Sequence, residues 1–152
     1  MRILTIVLVA TLVLAVLIIV LRTYFSNTAI PEGVGIGTIA DCPPSPNCVS
    51  TQAKDGSQKI SPISFDGNPE QHLNSIAKII EMMPKSKIVS RTDNYLHAEF
   101  RSSFWNFVDD VEFFVNTENG TIDSRSAARM GYSDMGINKA RYQSIVEQLN
   151  SP

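Results

Sequence analysis

The longest hydrophobic run in the chain lies at its start. Within Ile3–Leu21 only Thr5 and Thr11 are polar, and Arg2 and Arg22 bound the run. As a helix, these 19 residues would rise about 28 Å, which is close to the hydrocarbon thickness of a bilayer. The pattern therefore predicts one transmembrane helix.

A cleaved signal peptide is the alternative interpretation of the same run. Signal peptides have a shorter apolar region that ends in a small-x-small cleavage site. Here Arg22–Phe25 follows the run, and Ala29 is preceded by Asn27 where a second small residue would be needed. We therefore predict an anchor that is not cleaved. Arg2 and the amino terminus slightly outweigh Arg22, which favours the N-terminus in the cytoplasm and the rest of the chain outside.

Two later segments have helical spacing. Asn68 is a suitable N-cap, and Pro69 suits the first turn of the helix that follows. A second helix is predicted over Gly136–Leu149, with Ser133 or Asp134 as its cap. The apolar stripes of the two helices are Leu73, Ile76, Ala77, Ile80 and Met83, and then Tyr142, Ile145, Val146 and Leu149.

Between these helices the periodicity changes to two, which predicts strands. Turn signals at Asp93-Asn94 and Asn119-Gly120 indicate two hairpins. The predicted strands are Lys87–Thr92, Tyr95–Arg101, Val108–Asn116 and Thr121–Ala128, with a short further strand around Ile60–Phe65. This order predicts an α+β fold, in which an antiparallel four- to five-stranded sheet carries both helices on one face and follows one transmembrane helix.

The domain organisation follows from these elements. Residues 1–22 are predicted to form the anchor, residues 23–40 a flexible stalk, and residues 41–152 an extracytoplasmic α+β domain. Glycines at positions 33, 35 and 37 resemble a dinucleotide-binding loop, but no strand precedes them and no helical pattern follows. A stalk is the better interpretation of this segment.

The last hairpin sorts its residues onto two faces. Val115 or Thr117 lies opposite Ile122, depending on the loop length, and both registers give the same two faces. The face toward the helices would carry Val111, Phe113, Val115, Ile122 and Ala128. The opposite face, named here the polar face, carries Asp110, Glu112, Phe114, Asp123, Arg125 and Arg129, beside Tyr95, His97, Glu99 and Arg101 of the preceding strand. We expect the polar face to be exposed to solvent.

Composition and cysteine content limit the possible functions. The chain is 43% hydrophobic and 18% charged, with a net charge of −2, which excludes a basic nucleic-acid binder, a multi-span transporter and a disordered chain. Cys42 and Cys48 enclose three prolines and predict a disulfide in an oxidising compartment, with two free thiols as the alternative. His72 and His97 do not complete a set of metal ligands, so no metal and no cofactor are predicted.

Two interpretations of the charged residues involve chemistry. Asp110, Glu112 and His97 form a possible acid–base set, with Arg125 stabilising an anion, although ordinary ion pairs on an exposed sheet are the simpler interpretation. In addition, Arg125, Arg129 and Arg141 are expected to converge near the start of the last helix, as a pocket for a small anion. The aromatic connector, residues 104–107 (Phe-Trp-Asn-Phe), is predicted to pack in the core, with ligand stacking or membrane contact as the alternatives.

Two motifs give the chain a family resemblance. Cys42–Ser50 (CPPSPNCVS) and Arg125–Asn138 (RSAARMGYSDMGIN) closely resemble the domain-of-unknown-function 1499 family, and the resemblance runs from about residue 35 to residue 149. Thr51 and Lys139 are mild departures from its usual Ser and Arg. The resemblance implies a small bacterial or plastid protein, often membrane-anchored or exported, with no established reaction. It directs attention to Arg125, Ser126, Arg129, Tyr132, Ser133, Asp134 and Asn138.

The expected function is therefore a non-enzymatic binding or assembly module. We expect it to be anchored by one span in a bacterial inner membrane, with its domain in the periplasm. The expected partners are the membrane and an envelope protein or a small anionic ligand, and not nucleic acid. The expected binding residues are Arg125, Arg129, Tyr132, Ser133, Asp134, Asn138 and Arg141. The alternatives are a small cell-envelope hydrolase or lipid-modifying enzyme that uses Asp110, Glu112 and His97, and a purely structural domain.

Overall fold

A long N-terminal helix precedes a sheet that carries two further helices. The computed structural model describes residues 2–151, apart from the side chain of Ser26. Met1, the first residue of the predicted anchor, and Pro152, the last residue of the predicted domain, lie outside the described residues. The elements are α1 (Arg2–Thr28), β1 (Cys48–Ser50), β2 (Ile63–Ser64), α2 (Pro69–Met82), β3 (Ser86–Arg91), β4 (Tyr95–Arg101), β5 (Val108–Asn116), β6 (Thr121–Ala128) and α3 (Ile137–Leu149).

Helix α1 is long and apolar enough to cross a membrane. The span is Arg2–Phe25, with 24 residues and a mean hydropathy of 3.3, and it is the one such helix within residues 2–151. The helix continues to Thr28, so residues 23–28 are helical where the sequence predicted the start of a stalk. The helix therefore extends past the predicted boundary, because residues 23–28 contain no helix-breaking Pro or Gly.

The α+β fold is confirmed. The sheet has six strands in the order β1-β6-β5-β4-β3, with β2 also paired to β6, and the named strand pairs are antiparallel. The strand that the sequence did not predict is β1, because it contains three residues and follows a proline-rich segment, too short a stretch to show alternation.

Helices α2 and α3 pack against one face of the sheet, as predicted, and they also pack against each other. The Asn68 side chain accepts a hydrogen bond from the Glu70 N–H at 2.8 Å, which caps α2. The core between helices and sheet contains Leu73, Ile76, Ala77, Ile80, Leu96, Ala98, Val111, Phe113, Val115, Ile122, Tyr142 and Ile145.

The last hairpin adopts the second of the two registers that the sequence allowed. Val115 lies opposite Ile122, and Glu112 lies opposite Arg125. Ala128, predicted to be in the core, is only partly buried, because it lies opposite Asp109 at the end of the strand pair.

Candidate functional site

The polar face of the sheet is buried, contrary to the expectation of a solvated surface. His97 and Asp110 are each 1% exposed, and Glu112 is fully buried. The cover is the rest of the segment predicted as a stalk, residues 29–40, named here the arm. Val34 of the arm is buried, and the Gly35 N–H donates to the Tyr95 hydroxyl at 3.0 Å. The arm therefore lies across the sheet and contacts it instead of separating the domain from α1.

Arg129 is at the centre of the buried polar face. Its Nε and Nη2 donate to the two carboxylate oxygens of Asp110, both at 2.7 Å, and Nη2 also donates to Glu99 at 2.6 Å. Its Nη1 donates to the backbone carbonyls of Asn27 (3.2 Å) and Thr28 (3.3 Å), at the end of α1. A cation near these carbonyls is favourable because they carry the negative end of the helix dipole. Arg129 therefore fastens the end of α1 to the sheet.

A second buried group lies beside the first on the same face. The Arg125 guanidinium donates to Glu112 at 3.1 Å, and the Tyr95 hydroxyl donates to the other oxygen of Glu112 at 2.6 Å. Because Tyr95 also receives the Gly35 N–H, this group joins the arm to the sheet. Burial and the hydrogen bond to Glu112 raise the pKa of the Tyr95 hydroxyl, so it remains a donor at ordinary pH.

The charge states on the polar face support its structural role. Burial alone would raise the pKa of Asp110, but hydrogen bonds from Arg129 and His97 outweigh burial and hold that pKa below its ordinary value. For Arg129 the balance is similar: burial opposes its charge, and its bonds to Asp110 and Glu99 raise its pKa above the ordinary value. Asp110 and Arg129 are therefore an ionised pair at neutral pH.

Two of the predicted acid–base residues lie within hydrogen-bond distance of each other, but a substrate has no open path to them. His97 Nε2 lies 2.8 Å from Asp110 Oδ1, so the predicted partners do meet. Glu112, however, is occupied by Arg125 and Tyr95, and the Gly35 backbone lies so close to His97 that a β-carbon there would be 3.6 Å from its Nδ1. A substrate could reach these groups only if the arm were displaced.

The predicted cluster of three arginines is wrong. Arg125 and Arg129 reach the polar face, whereas Arg141 lies on the opposite side of the sheet, where α3 packs. Arg141 Nη2 donates to Asp109 at 2.7 Å, Nη1 donates to Asn138 at 2.7 Å and to Ser126 at 3.2 Å, and the guanidinium lies 4.6 Å from the centroid of Phe100. Proximity to the helix start in sequence did not determine which side of the sheet each side chain occupies.

The two sequence motifs meet in space. Strand β1, at the end of the cysteine motif, pairs with the second half of β6, where the arginine motif begins. The Asn47 amide donates to the carbonyls of Ala128 (3.3 Å) and Gly131 (2.7 Å), and the Asn47 carbonyl accepts from the buried Asn138 amide at 3.1 Å. These bonds fix the loop after β6, which is the part of the motif that leads into α3.

The cysteine motif is held by a disulfide. Cys42 and Cys48 are bonded, with their α-carbons 5.7 Å apart, as the sequence predicted. The Gln58 amide donates to the carbonyls of Pro43 (2.9 Å) and Ser45 (2.8 Å), which supports the enclosed loop from outside. Within residues 2–151 there is no group of three or more His, Cys, Asp or Glu residues that could hold a metal ion.

A groove of about 730 Å³ lies on the α3 side of the molecule. The loop between β6 and α3 forms one wall, and the aromatic connector forms another. Asp109 and Arg141 are its largely buried charged pair, with side chains 14% and 10% exposed, and burial, partly opposed by Arg141, raises the pKa of the Asp109 carboxyl. The apolar side chains that line the groove include Met83, Phe100, Trp105, Phe107, Met130, Met135 and Ile137.

The comparisons with known proteins identify the family. A family model described as "Protein of unknown function (DUF1499)" matches residues 38–149. The chain belongs to this family. A comparison with curated proteins finds no match. The matched part of this DUF1499 protein contains the whole sheet, α2 and α3, and it begins after α1.

The remaining predicted binding residues of the DUF1499 domain have separate positions. Asp134 accepts from the N–H of Asn138 at 2.7 Å and from that of Gly136 at 3.1 Å, so it caps α3 from a position just outside the helix. Ser133 accepts from the Met135 N–H, and Tyr132 is 78% exposed. Ser133 and Asp134 line the groove, whereas its lining does not include Tyr132, so these residues do not form one binding cluster.

The aromatic connector of the DUF1499 domain is not in the core. Phe104 is 84% exposed and Trp105 is 70% exposed, which contradicts the predicted packing. The connector forms a loop outside the sheet, with Asn106 in the left-handed region at φ 58°, and its rings contact one another. Aromatic composition alone did not distinguish a buried loop from an exposed one.

Sequence reasoning also missed residues that organise the polar face and the α3 side of the sheet. Asn47, Asp109 and Glu99 each bind an element that lies far away in the sequence, so none has a local signal. Glu99 had an indirect signal: it lies opposite Asp110, and two acids facing each other across strands require a cation between them.

Proposed function

We propose that this protein is a membrane-anchored, extracytoplasmic binding module whose groove holds the apolar chain of a membrane lipid. The observation that carries this proposal is the groove itself. Its volume of about 730 Å³ lies within the usual range of small-molecule sites, apolar side chains form most of its lining, and residues 130–137 of the arginine motif supply much of its wall.

The groove's charges favour an apolar ligand over the small anion expected from the sequence. Arg141 already donates to Asp109, Asn138 and Ser126, so an anion would have to displace internal partners. The pair of Asp109 and Arg141 is neutral overall, and Phe100 covers part of the guanidinium. An alkyl chain can fill such a groove without breaking this largely buried ion pair, which would be costly.

The position of the groove favours a lipid as the source of that chain. Arg101, Trp105 and Phe107 line the groove and also line a smaller depression beside the end of α1, where Ile19 and Val20 form the other side. The groove and the depression beside α1 thus share these three side chains as a boundary. A chain that leaves the bilayer next to α1 would enter the groove by passing this boundary.

The anchor and the disulfide support the proposed location. Helix α1 is apolar enough to span a bilayer, and a disulfide at Cys42 and Cys48 is stable in an oxidising compartment such as the periplasm. A single-pass protein of a bacterial inner membrane, with its domain on the periplasmic side, accounts for both features. The family resemblance agrees with this location.

Photocrosslinking tests the proposal. The full chain is placed in phospholipid nanodiscs that contain a lipid with a diazirine on its acyl chain, irradiated, digested and examined by mass spectrometry. We expect adducts on the peptides that carry Met130 and Met135, in addition to any on α1. Ala140→Trp should fill the groove and reduce the domain adducts severalfold, whereas the matched variant Lys139→Trp, one position away and outside the groove lining, should leave them unchanged.

Two results would overturn the proposal. Adducts confined to α1 would show that no lipid chain enters the groove. Equal domain adducts in both tryptophan variants would show that labelling does not depend on the groove.

A further inference from the structure

The aromatic connector presents rings that the domain does not cover. Phe104 and Trp105 are 84% and 70% exposed. Their ring centroids are 4.9 Å apart in an edge-to-face arrangement, and Trp105 stacks on Phe107 at 6.4 Å. The connector is therefore an ordered aromatic patch rather than a set of isolated side chains, and large exposed apolar patches mark interaction surfaces.

The patch lies beside the last turns of α1. Trp105 and Phe107 share a depression of about 370 Å³ with Ile19, Val20, Thr23 and Tyr24. The helix segment from residue 19 to residue 24 rises about 7.5 Å, and it contains the end of the apolar run that begins at Ile3. If α1 spans a bilayer, these residues lie where the hydrocarbon gives way to the lipid headgroups.

Hydrogen bonds fix the height of the patch along the helix. The Asn27 amide donates to the Asn106 carbonyl at 2.9 Å, and its oxygen accepts from the Val108 N–H at 2.8 Å. Arg129 donates to the carbonyls of Asn27 and Thr28. Asn27 thus holds the C-terminal end of the connector, on either side of Phe107, and Arg129 holds the sheet at the helix terminus.

We infer that the aromatic connector is an interfacial membrane anchor, with Trp105 inserted at the headgroup level of the leaflet from which α1 emerges. The inference rests on the proposed function only in that α1 spans a bilayer; it does not require a lipid in the groove. Tryptophan prefers this layer because its ring is apolar and its N–H can bond to water or headgroups. With Tyr24 on the helix and 63% exposed, the connector extends an aromatic belt sideways from the span.

The wild-type chain carries its own probe, because Trp105 is its only tryptophan. The full chain is reconstituted in liposomes that contain brominated phospholipids, with bromine near either the carbonyl end or the methyl end of the acyl chain. We expect Trp105 fluorescence to be quenched, about twofold more strongly by the shallow bromine than by the deep one, as for a residue at the interface.

A matched control moves the tryptophan away from the membrane. In the variant that combines Trp105→Phe with Glu118→Trp, the ring lies in the exposed loop at the other end of β5, about 27 Å from Val108 along the strand. This variant should not be quenched. Wild-type quenching as weak as that of the control would overturn the inference, and stronger quenching by the deep bromine would place Trp105 in the hydrocarbon instead.

Flotation of the same liposomes separates this result from a failure of the anchor. Protein that does not float with the lipid would contradict the proposed membrane anchoring itself. Protein that floats but shows no quenching at Trp105 would contradict the interfacial connector alone. Protein that floats and is quenched, while the groove acquires no lipid adducts, would contradict only the lipid-binding groove.

Discussion

Replacing Arg129 by methionine should destabilise the domain strongly. The side chain is 1% exposed, and its removal leaves Asp110, also 1% exposed, and Glu99, 13% exposed, without their shared cation. Breaking a buried ion pair by removing one partner costs about 3–5 kcal/mol. For a domain of this size, that cost lowers the midpoint of thermal unfolding by roughly 10–20 °C.

The matched control is Arg101→Met. Arg101 binds the same carboxylate, Glu99, through one hydrogen bond of 3.1 Å, but its side chain is 37% exposed. Such a pair contributes about 0–1 kcal/mol, so the same substitution should change the midpoint by only a few degrees. The comparison separates loss of an arginine in general from loss of the buried one.

The assay is thermal and urea unfolding of the full chain in detergent micelles, followed by near-ultraviolet circular dichroism and Trp105 fluorescence. Hydrogen exchange of the same samples adds a local measurement: the Val108 N–H, bonded to Asn27, should exchange faster in Arg129→Met because the end of α1 has lost its second attachment. A free energy of unfolding within about 1 kcal/mol of wild type would refute the argument that this ion pair holds the polar face together.

Two further predictions concern acid and reductant. Because Arg129 and His97 hold the pKa of Asp110 below its ordinary value, Asp110 contributes stability that is complete above about pH 3.9 and is lost as pH falls from there through the lowered pKa. Urea titrations between neutral and acid pH should therefore show that Asp110→Asn loses less free energy of unfolding on acidification than the wild type. An equal loss in both proteins would contradict the assignment. Reducing the bond between Cys42 and Cys48, or replacing both by serine, should cost about 2 kcal/mol, since the closed loop is short; alkylation should add two thiol-blocking groups only after reduction, and modification without reductant would show that the bond is absent.

The sheet and helices were predictable because their signals are local. Strands β4, β5 and β6 were predicted with the bounds they have, since apolar residues alternate along β4 and Asn119-Gly120 marks the turn between the last two. Asn68 and Pro69 similarly marked the start of α2. Register required a choice of loop length, but the allowed registers gave the same faces, so the core side of β5 did not depend on that choice.

The burial of the polar face was not predictable from the same signals. Its cover comes from the arm, whose glycines and scattered apolar residues have neither a helical nor a strand period. Val34 is buried and Gly35 donates to Tyr95 only because the arm turns back over the sheet, a tertiary event without a local pattern. The facing acids Glu99 and Asp110 were the available warning, because on an open sheet their repulsion would have no compensation.

The hydrogen bonds from Arg129 to the end of α1 also constrain the length of this helix. Because α1 is continuous to Thr28 and its last carbonyls are bonded to Arg129, each residue inserted between Leu21 and Asn27 would rotate the apolar part by about 100° and displace it by about 1.5 Å relative to the domain. One inserted residue would turn a different side of the span toward any neighbouring helix. Four would nearly restore that side but lift the domain by about 6 Å. Helix α1 and the domain therefore share one helical phase, and a chimera that carries a foreign helix in place of α1 must match its residue count as well as its hydrophobicity.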